Sequence, residues 1–159
     1  MASQFLLNLF IAFLWVLFTD DTFQFSTLVA GFLIGIVIVF LMRRFFGGKF
    51  YLHRLYSVIK LVIIFIIETM LSAIPVIKEV LSPQIRVKPG IFKYETILES
   101  DWEVTTLSLL LTLTPGSVVM EVTPEGNVLY IHAMDIERFQ GDLERSLAKF
   151  EKAIMEVTR

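Results

Sequence analysis

The sequence predicts an α+β membrane protein: two transmembrane helices plus an interfacial or third spanning helix, followed by a small ferredoxin-like β-α-β-β-α domain. Three observations carry this reading. Residues 1–19 and 22–42 hold no charged side chain, whereas from Lys78 onward the charged composition is that of an ordinary soluble chain. A hydrophobic fraction of 55% lies above the soluble average, so the apolar excess of the first half has to be covered by lipid or by other protein. Strand-like alternation after Pro115-Gly116 and helical three-and-four spacing after Asp135 then require a packed domain. The boundary falls between a membrane region, residues 1–82 with helices near 4–19, 27–46 and 53–81, and a domain at residues 83–159.

The first apolar run, Phe5 to Phe18, reads FLLNLFIAFLWVLF, with Trp15 suited to the interfacial belt. The second is Leu28 to Met42. Both fall short of the roughly 20 residues a helical span needs, but their uncharged flanks, Met1–Thr19 and Thr22–Met42, let each cross. No Lys or Arg precedes the first run and no small-x-small site precedes Asp20-Asp21, so it reads as a retained anchor rather than a signal peptide. The acidic link TDDTFQFS and the basic loop RRFFGGKFYLHR, with Arg43, Arg44, Lys49 and Arg54, place the hairpin tip outside and both ends in the cytoplasm. Gly31 and Gly35 form a G-x-x-x-G, which either lets two helix backbones approach or reflects the general glycine content of membrane helices.

The third run, Leu61 to Ile77, is interrupted by Glu68. Polar residues at 53, 57, 60, 68, 72 and 79 fall on one helical stripe, as in a span with one buried polar face or a helix lying in the interface. Lys78, Arg86, Lys88 and Lys93 make the downstream end as basic as the upstream one, which favours an interfacial or partly inserted helix with the domain cytoplasmic. Glu68 at mid-bilayer would be a functional candidate bordering an ion path. From the polar stripe it would instead face water or headgroups, or pair with Lys60 through a neighbour.

Pro83, Pro89 and Gly90 mark the exit from this segment, and IFKYETIL then reads as a strand. Ser100 and Glu103 form a capping box that opens a helix over 101–113, too short for a span. Thr114-Pro115-Gly116 ends it. In VVMEV, Val118, Met120 and Val122 share one face; TPEGN is a turn with positive φ at Gly126; and VLYIHA sets Leu129, Ile131 and Ala133 on the matching face. From the N-cap Asp135 a last helix carries Ile136, Phe139, Leu143, Leu147, Phe150, Ile154 and Val157 at core spacing. Its Glu137, Asp142, Glu144, Lys149 and Glu151 read as a solvated face. One strand short of the full pattern, the sheet borrows a strand, leaves an edge, or packs against a partner.

The absence of cysteine excludes disulfides, thiolate catalysis and cysteine metal sites. Two histidines, His53 and His132, cannot build a histidine-rich metal site, and a net charge of −2 gives no footprint for nucleic acid. No cofactor or metal is expected. Ser117, His132 and Asp135 invite a hydrolase reading, but no G-x-S-x-G elbow surrounds Ser117 and Asp135 has a capping role. Thr112, Thr114 and Ser117 are expected to satisfy backbone groups around the Pro-Gly stop, with His132 hydrogen-bonding in the domain or sensing pH.

The stretch TLTPGSVVMEVTPEGNVLYIHAMD resembles the signature of the E subunit of the bacterial multisubunit Na⁺/H⁺ antiporters, the Mrp or Mnh type of the cation:proton antiporter-3 family. Thr112, Thr114, Pro115, Gly116, His132 and Asp135 carry the likeness, and the apolar hairpin, basic loop and proline-rich exit extend it over essentially the whole chain. Ser117 keeps the hydroxyl of the threonine usual there, and Met134 is a volume-conserving change from leucine. The resemblance implies a non-catalytic accessory subunit of a seven-subunit complex in the bacterial plasma membrane, exchanging cytoplasmic Na⁺ for external H⁺. Its partners would be the other subunits and membrane lipid, with ion translocation assigned to the large subunits. A membrane-anchored adaptor that recruits a soluble partner through the C-terminal domain is the competing reading.

Overall fold

The computed structural model describes residues 2–19, 24–46, 50–84 and 87–159. Asp20, Asp21, Lys49 and Arg86, which enter the charge argument for topology, lie outside the described residues. Contacts group the chain into two units, Met1–Tyr56 and Ser57–Arg159.

In the first unit, helices α1 (Ala2–Phe18) and α2 (Phe25–Leu41) have 17 residues each, and α2 runs on into a 3₁₀ segment, Met42–Phe46. At 1.5 Å per residue each helix is about 26 Å long, close to the hydrocarbon thickness of roughly 30 Å. Their packing inverts the soluble pattern. Gln4, Asn8 and Ala12 of α1 and Gly31, Gly35 and Val39 of α2 are buried at four-residue spacing, while Phe10, Phe13, Leu17, Leu33, Val37 and Leu41 point outward. A helix pair with small and polar residues inside and bulky apolar residues outside suits lipid as its solvent.

Helix α3 (Tyr51–Val80) begins in the first unit and runs for 30 residues, with Pro75 inside it. Among the described helices it alone is long and apolar enough to cross a membrane. Its side chains are sharply divided. Val62, Ile63, Ile66, Ile67, Met70 and Ile74 are exposed, whereas Ser57 and Glu68 are buried and Leu61, Ile64 and Phe65 pack on the core of the second unit.

The rest of the second unit is β1 (Gly90–Glu95), α4 (Asp101–Leu113), β2 (Ser117–Val122), β3 (Val128–Ala133) and α5 (Ile136–Thr158). The sheet order is β1-β3-β2, and both outer strands pair antiparallel with β3, so β1 and β2 run parallel with β3 between them. Leu129, Ile131 and Ala133 are fully buried against Leu107 and Leu111 of α4 and Leu147, Phe150 and Ile154 of α5. Helix α4 starts at the expected capping box, with both reciprocal Ser100–Glu103 bonds made. Gly126 closes the hairpin turn at φ 72°, its N–H donating to the Thr123 carbonyl at 2.8 Å.

Two sequence expectations need correcting. The inward face of β2 is not Val118, Met120 and Val122: the register sets Ser117 opposite Ala133 and Val119 opposite Ile131, so Ser117 and Val119 face the core and Met120 is 61% exposed. A bulge between Val119 and Glu121 restores the inward phase only at Val122, because one extra residue flips every later side chain. Nor is the polar face of α5 uniformly solvated. Glu151 is buried, accepting from the Tyr94 hydroxyl at 3.0 Å, the Thr96 hydroxyl at 2.6 Å and the Ile97 N–H at 3.1 Å.

Candidate functional site

Two seams bring together the residues singled out from sequence. The first joins α1 to α2. A Cβ on Gly31 would meet Trp15 Cβ at 2.7 Å, and one on Gly35 would run into Asn8 Oδ1. Asn8 is fully buried and its amide donates to the Tyr51 hydroxyl at 2.8 Å, while Gln4 Oε1 accepts from the Tyr51 N–H at 2.9 Å. Among the described residues Asn8 Oδ1 has no conventional donor. Its closeness to the missing Cβ puts it at most about 3.5 Å from the Gly35 Cα, within reach of a weak Cα–H···O contact.

The second seam joins α3 to α5 by ion pairs in antiparallel order. Lys60 pairs with Glu156 at 2.6 Å, Glu68 with Lys149 at 2.5 Å, and Glu79 with Arg138 at 3.6 Å. Glu68 also accepts from the Ser146 hydroxyl. Glu68 and Lys60 are therefore not partners: eight residues along a helix separate them by about 12 Å, and α5 supplies a counter-charge to each. At Lys60, Glu68 and Glu79 the polar stripe of α3 faces α5.

Between these rungs lies a cavity of about 340 Å³, walled by α3 at Ser72, Pro75 and Val76, by α5, and by Pro115, Gly116 and Met134. Gly116 is fixed by two demands, a φ of 90° and a Val76 methyl that a Cβ would meet at 3.3 Å. Around it the signature hydroxyls close the end of α4. Thr114 Oγ1 donates to the Leu111 carbonyl at 2.6 Å, Ser117 Oγ lies 3.4 Å from both Thr114 Oγ1 and that carbonyl, and the Val119 N–H donates to Thr112 Oγ1 at 3.4 Å. The Met134 N–H donates to the Gly116 carbonyl at 2.9 Å, tying the stop to β3.

Ser117, His132 and Asp135 are not brought together. Ser117 shares the core face with its partner Ala133, so His132, one residue earlier on β3, points to the opposite face of the sheet. Asp135 caps α5 by accepting from the Arg138 N–H at 3.3 Å. At the far end of the domain, Glu103 accepts from Arg159 at 3.2 Å, from the Thr158 hydroxyl, and from the N–H groups of Glu99 and Ser100. Those bonds, led by the one from Arg159, hold its carboxyl at about 2 against the desolvation that would raise it.

Sequence reasoning passed over Lys149, Ser146, Arg138 and Glu156 as partners of α3, since helix periodicity shows which residues share a face and not which helix meets it. Glu151 reads in the sequence as part of a solvated face, but its place at i+4 from Leu147 and i+8 from Leu143 on the core stripe is a signal that it points inward. Pro75, inside α3 and lining the cavity, is visible in the sequence as a residue without an N–H.

Residues 8–157 match the family described as Na⁺/H⁺ ion antiporter subunit, MNHE. The E subunit of the Na⁺/H⁺ antiporter of Bacillus subtilis is 47% identical over 159 residues, covering 100% of both chains. The putative antiporter subunit mnhE2 of Staphylococcus epidermidis is 41% identical, with 99% of each chain covered. Among solved structures, a chain of the Mrp complex from Dietzia sp. DQ12-45-1b is 27% identical, with a TM-score of 0.46 over 64% of this chain and 96% of that one. A chain of the membrane-bound sulfane sulfur reductase, an archaeal respiratory membrane complex, is 20% identical with a TM-score of 0.55, covering 97% of this chain and 98% of that one. That second likeness shows a shared fold over nearly the whole length.

Proposed function

The chain belongs to the MNHE family of Na⁺/H⁺ antiporter subunits, and from that premise we propose that it is a non-catalytic accessory subunit of a seven-subunit complex exchanging Na⁺ for H⁺ across the bacterial plasma membrane. Helices α1 and α2 cross the bilayer as a hairpin. The second unit is the cytoplasmic body, a ferredoxin-like split β-α-β arrangement lacking its last strand, and α3 lies in the membrane interface as its floor.

The ladder along α3 is the observation that carries this placement. Lys60 and Glu79 are about 28 Å apart along the helix, and α5 is clamped to both and to Glu68 between them. Standing α3 across the bilayer would drag Lys149, Arg145, Asp142 and Glu144 of α5 to membrane depth, where each charge costs about 3 kcal/mol or more. Laid flat, α3 buries its apolar side in lipid or neighbouring subunits and keeps its polar side on the domain. Glu68, neutralised by Lys149, then acts as a clamp.

Purification of the tagged chain from native membranes, with co-purifying chains identified by mass, tests the assignment. Six hydrophobic partners, two of them large, are expected. A lone protein, or one soluble partner, would contradict it and favour an adaptor.

A further inference from the structure

The cavity beneath the Pro115-Gly116 stop is more than a packing gap. Its lining is apolar at Val76, Phe139 and Leu143 and carries two cations, Lys149 and Arg145, and two carboxylates, Glu68 and Asp142. The charges balance, and each cation already faces a carboxylate, Lys149 with Glu68 and Arg145 with Asp142 at 3.4 Å. A ligand of net negative charge would strand both carboxylates, and a simple cation would strand Lys149 and Arg145. A ligand with separated, cancelling charges strands neither.

Two further features give the ligand's polarity. Arg145 and Lys149 stand at i and i+4 on one face of α5 and offer N–H donors to a phosphate. On the opposite wall Pro75 has no N–H, so the Leu71 carbonyl loses its helical donor beside the Ser72 hydroxyl, leaving acceptors for an ammonium group. At about 340 Å³ the cavity has the size of a small-ligand site, and its α3 wall belongs to the helix placed above in the membrane interface.

We propose that this cavity binds the headgroup of a zwitterionic phospholipid with a primary ammonium, a phosphoethanolamine lipid, its phosphate on Arg145 and on the N–H donors of Lys149 that the retained Glu68 pair leaves over, and its ammonium on Asp142, Ser72 and the Leu71 carbonyl. The Pro-Gly signature thereby shapes a lipid seat between α3 and the domain. The proposal rests on the interfacial placement of α3.

The test titrates the full chain in detergent with phosphatidylethanolamine, phosphatidylglycerol and phosphatidylcholine, reading bound lipid by native mass spectrometry and the thermal midpoint in parallel. Phosphatidylethanolamine should bind about tenfold more tightly than either of the others, as loss of one charge-assisted contact implies. Ser72→Leu, which fills the cavity, and the surface change Arg145→Ala should each abolish that preference. Equal binding of the three lipids, or an unchanged preference in either variant, overturns the proposal. A full midpoint shift from soluble phosphoethanolamine alone also overturns it, since the ligand would not be a lipid. A nitroxide at Ile63 separates the two premises: lipid exposure there without headgroup preference sinks the cavity proposal alone, and loss of lipid exposure sinks the placement of α3.

Discussion

Replacing Gly35 with alanine drives a methyl carbon into Asn8 Oδ1 and sets it 3.1 Å from the Asn8 carbonyl oxygen. The backbone oxygen can yield only if α1 and α2 separate. The side chain can yield only by giving up the Tyr51 hydroxyl, which its amide meets at 2.8 Å. Overpacking of this kind costs about 1–3 kcal/mol, and a stranded buried amide about 1–3 kcal/mol more. A net loss of about 2–4 kcal/mol is expected, because partial relaxation offsets one or the other. For a chain of this size that corresponds to a fall in Tm of roughly 5–15 °C, measurable by thermal unfolding of the detergent-solubilised full chain. The pairwise nature of the effect is checked with Asn8→Ala, which frees the space under residue 35. Combined with Gly35→Ala it should recover about 1–2 kcal/mol relative to the sum of the single changes. A Gly35→Ala variant within about 0.5 kcal/mol of the parent, or strict additivity in the double variant, would refute this account of the seam.

Gly141 offers the opposite case: it is helical in α5, exposed, and a Cβ there meets nothing within 4 Å, so Gly141→Ala should stabilise the chain by about 0.5–1 kcal/mol in the same melts. Glu151→Ala strands the donors of Tyr94, Thr96 and Ile97 and should cost about 2–4 kcal/mol, with faster hydrogen exchange at the Ile97 amide. Glu68→Gln should lower complex yield while leaving Na⁺/H⁺ exchange per assembled complex unchanged; reduced exchange at full yield would instead place Glu68 on an ion path. Glu103 has a folded pKa depressed from 4.5 to about 2, so its contribution is fully present above about pH 4.5 and is lost as pH falls toward 2. Arg159 is the leading donor, so Arg159→Ala should raise the folded pKa of Glu103 and shrink the pH-dependent part of an acid-unfolding curve below about pH 4.5.

Features of the fold that depend on local chemistry were legible in the sequence. The capping box at Ser100, the Pro-Gly stop, the positive-φ turn glycine and the N-cap at Asp135 each demand particular side chains within a few residues. The inward face of β2 was not legible, because a bulge between Val119 and Glu121 changes the phase of alternation without a glycine or proline to announce it. The partner of α3 was hidden for a related reason. Its polar stripe could be read, but the residues that answer it lie 59 to 96 positions away, as with Glu79–Arg138 and Lys60–Glu156, and look like ordinary charged residues of an amphipathic helix. Gly31 and Gly35 stood out by spacing, whereas Asn8, the residue that makes position 35 intolerant of a side chain, sat unremarked in an apolar run.

In the proposed arrangement α3 lies along the membrane surface with the domain clamped to its polar side. Single nitroxides at Ile59, Ile63, Ile66, Met70, Ile74 and Ile77, on the exposed apolar side of α3, can be read in proteoliposomes by collision with oxygen and with a water-soluble nickel chelate. A flat helix predicts one shallow, lipid-exposed depth shared by all six positions. A depth that climbs by about 1.5 Å per residue to a mid-bilayer maximum and falls again would contradict the account.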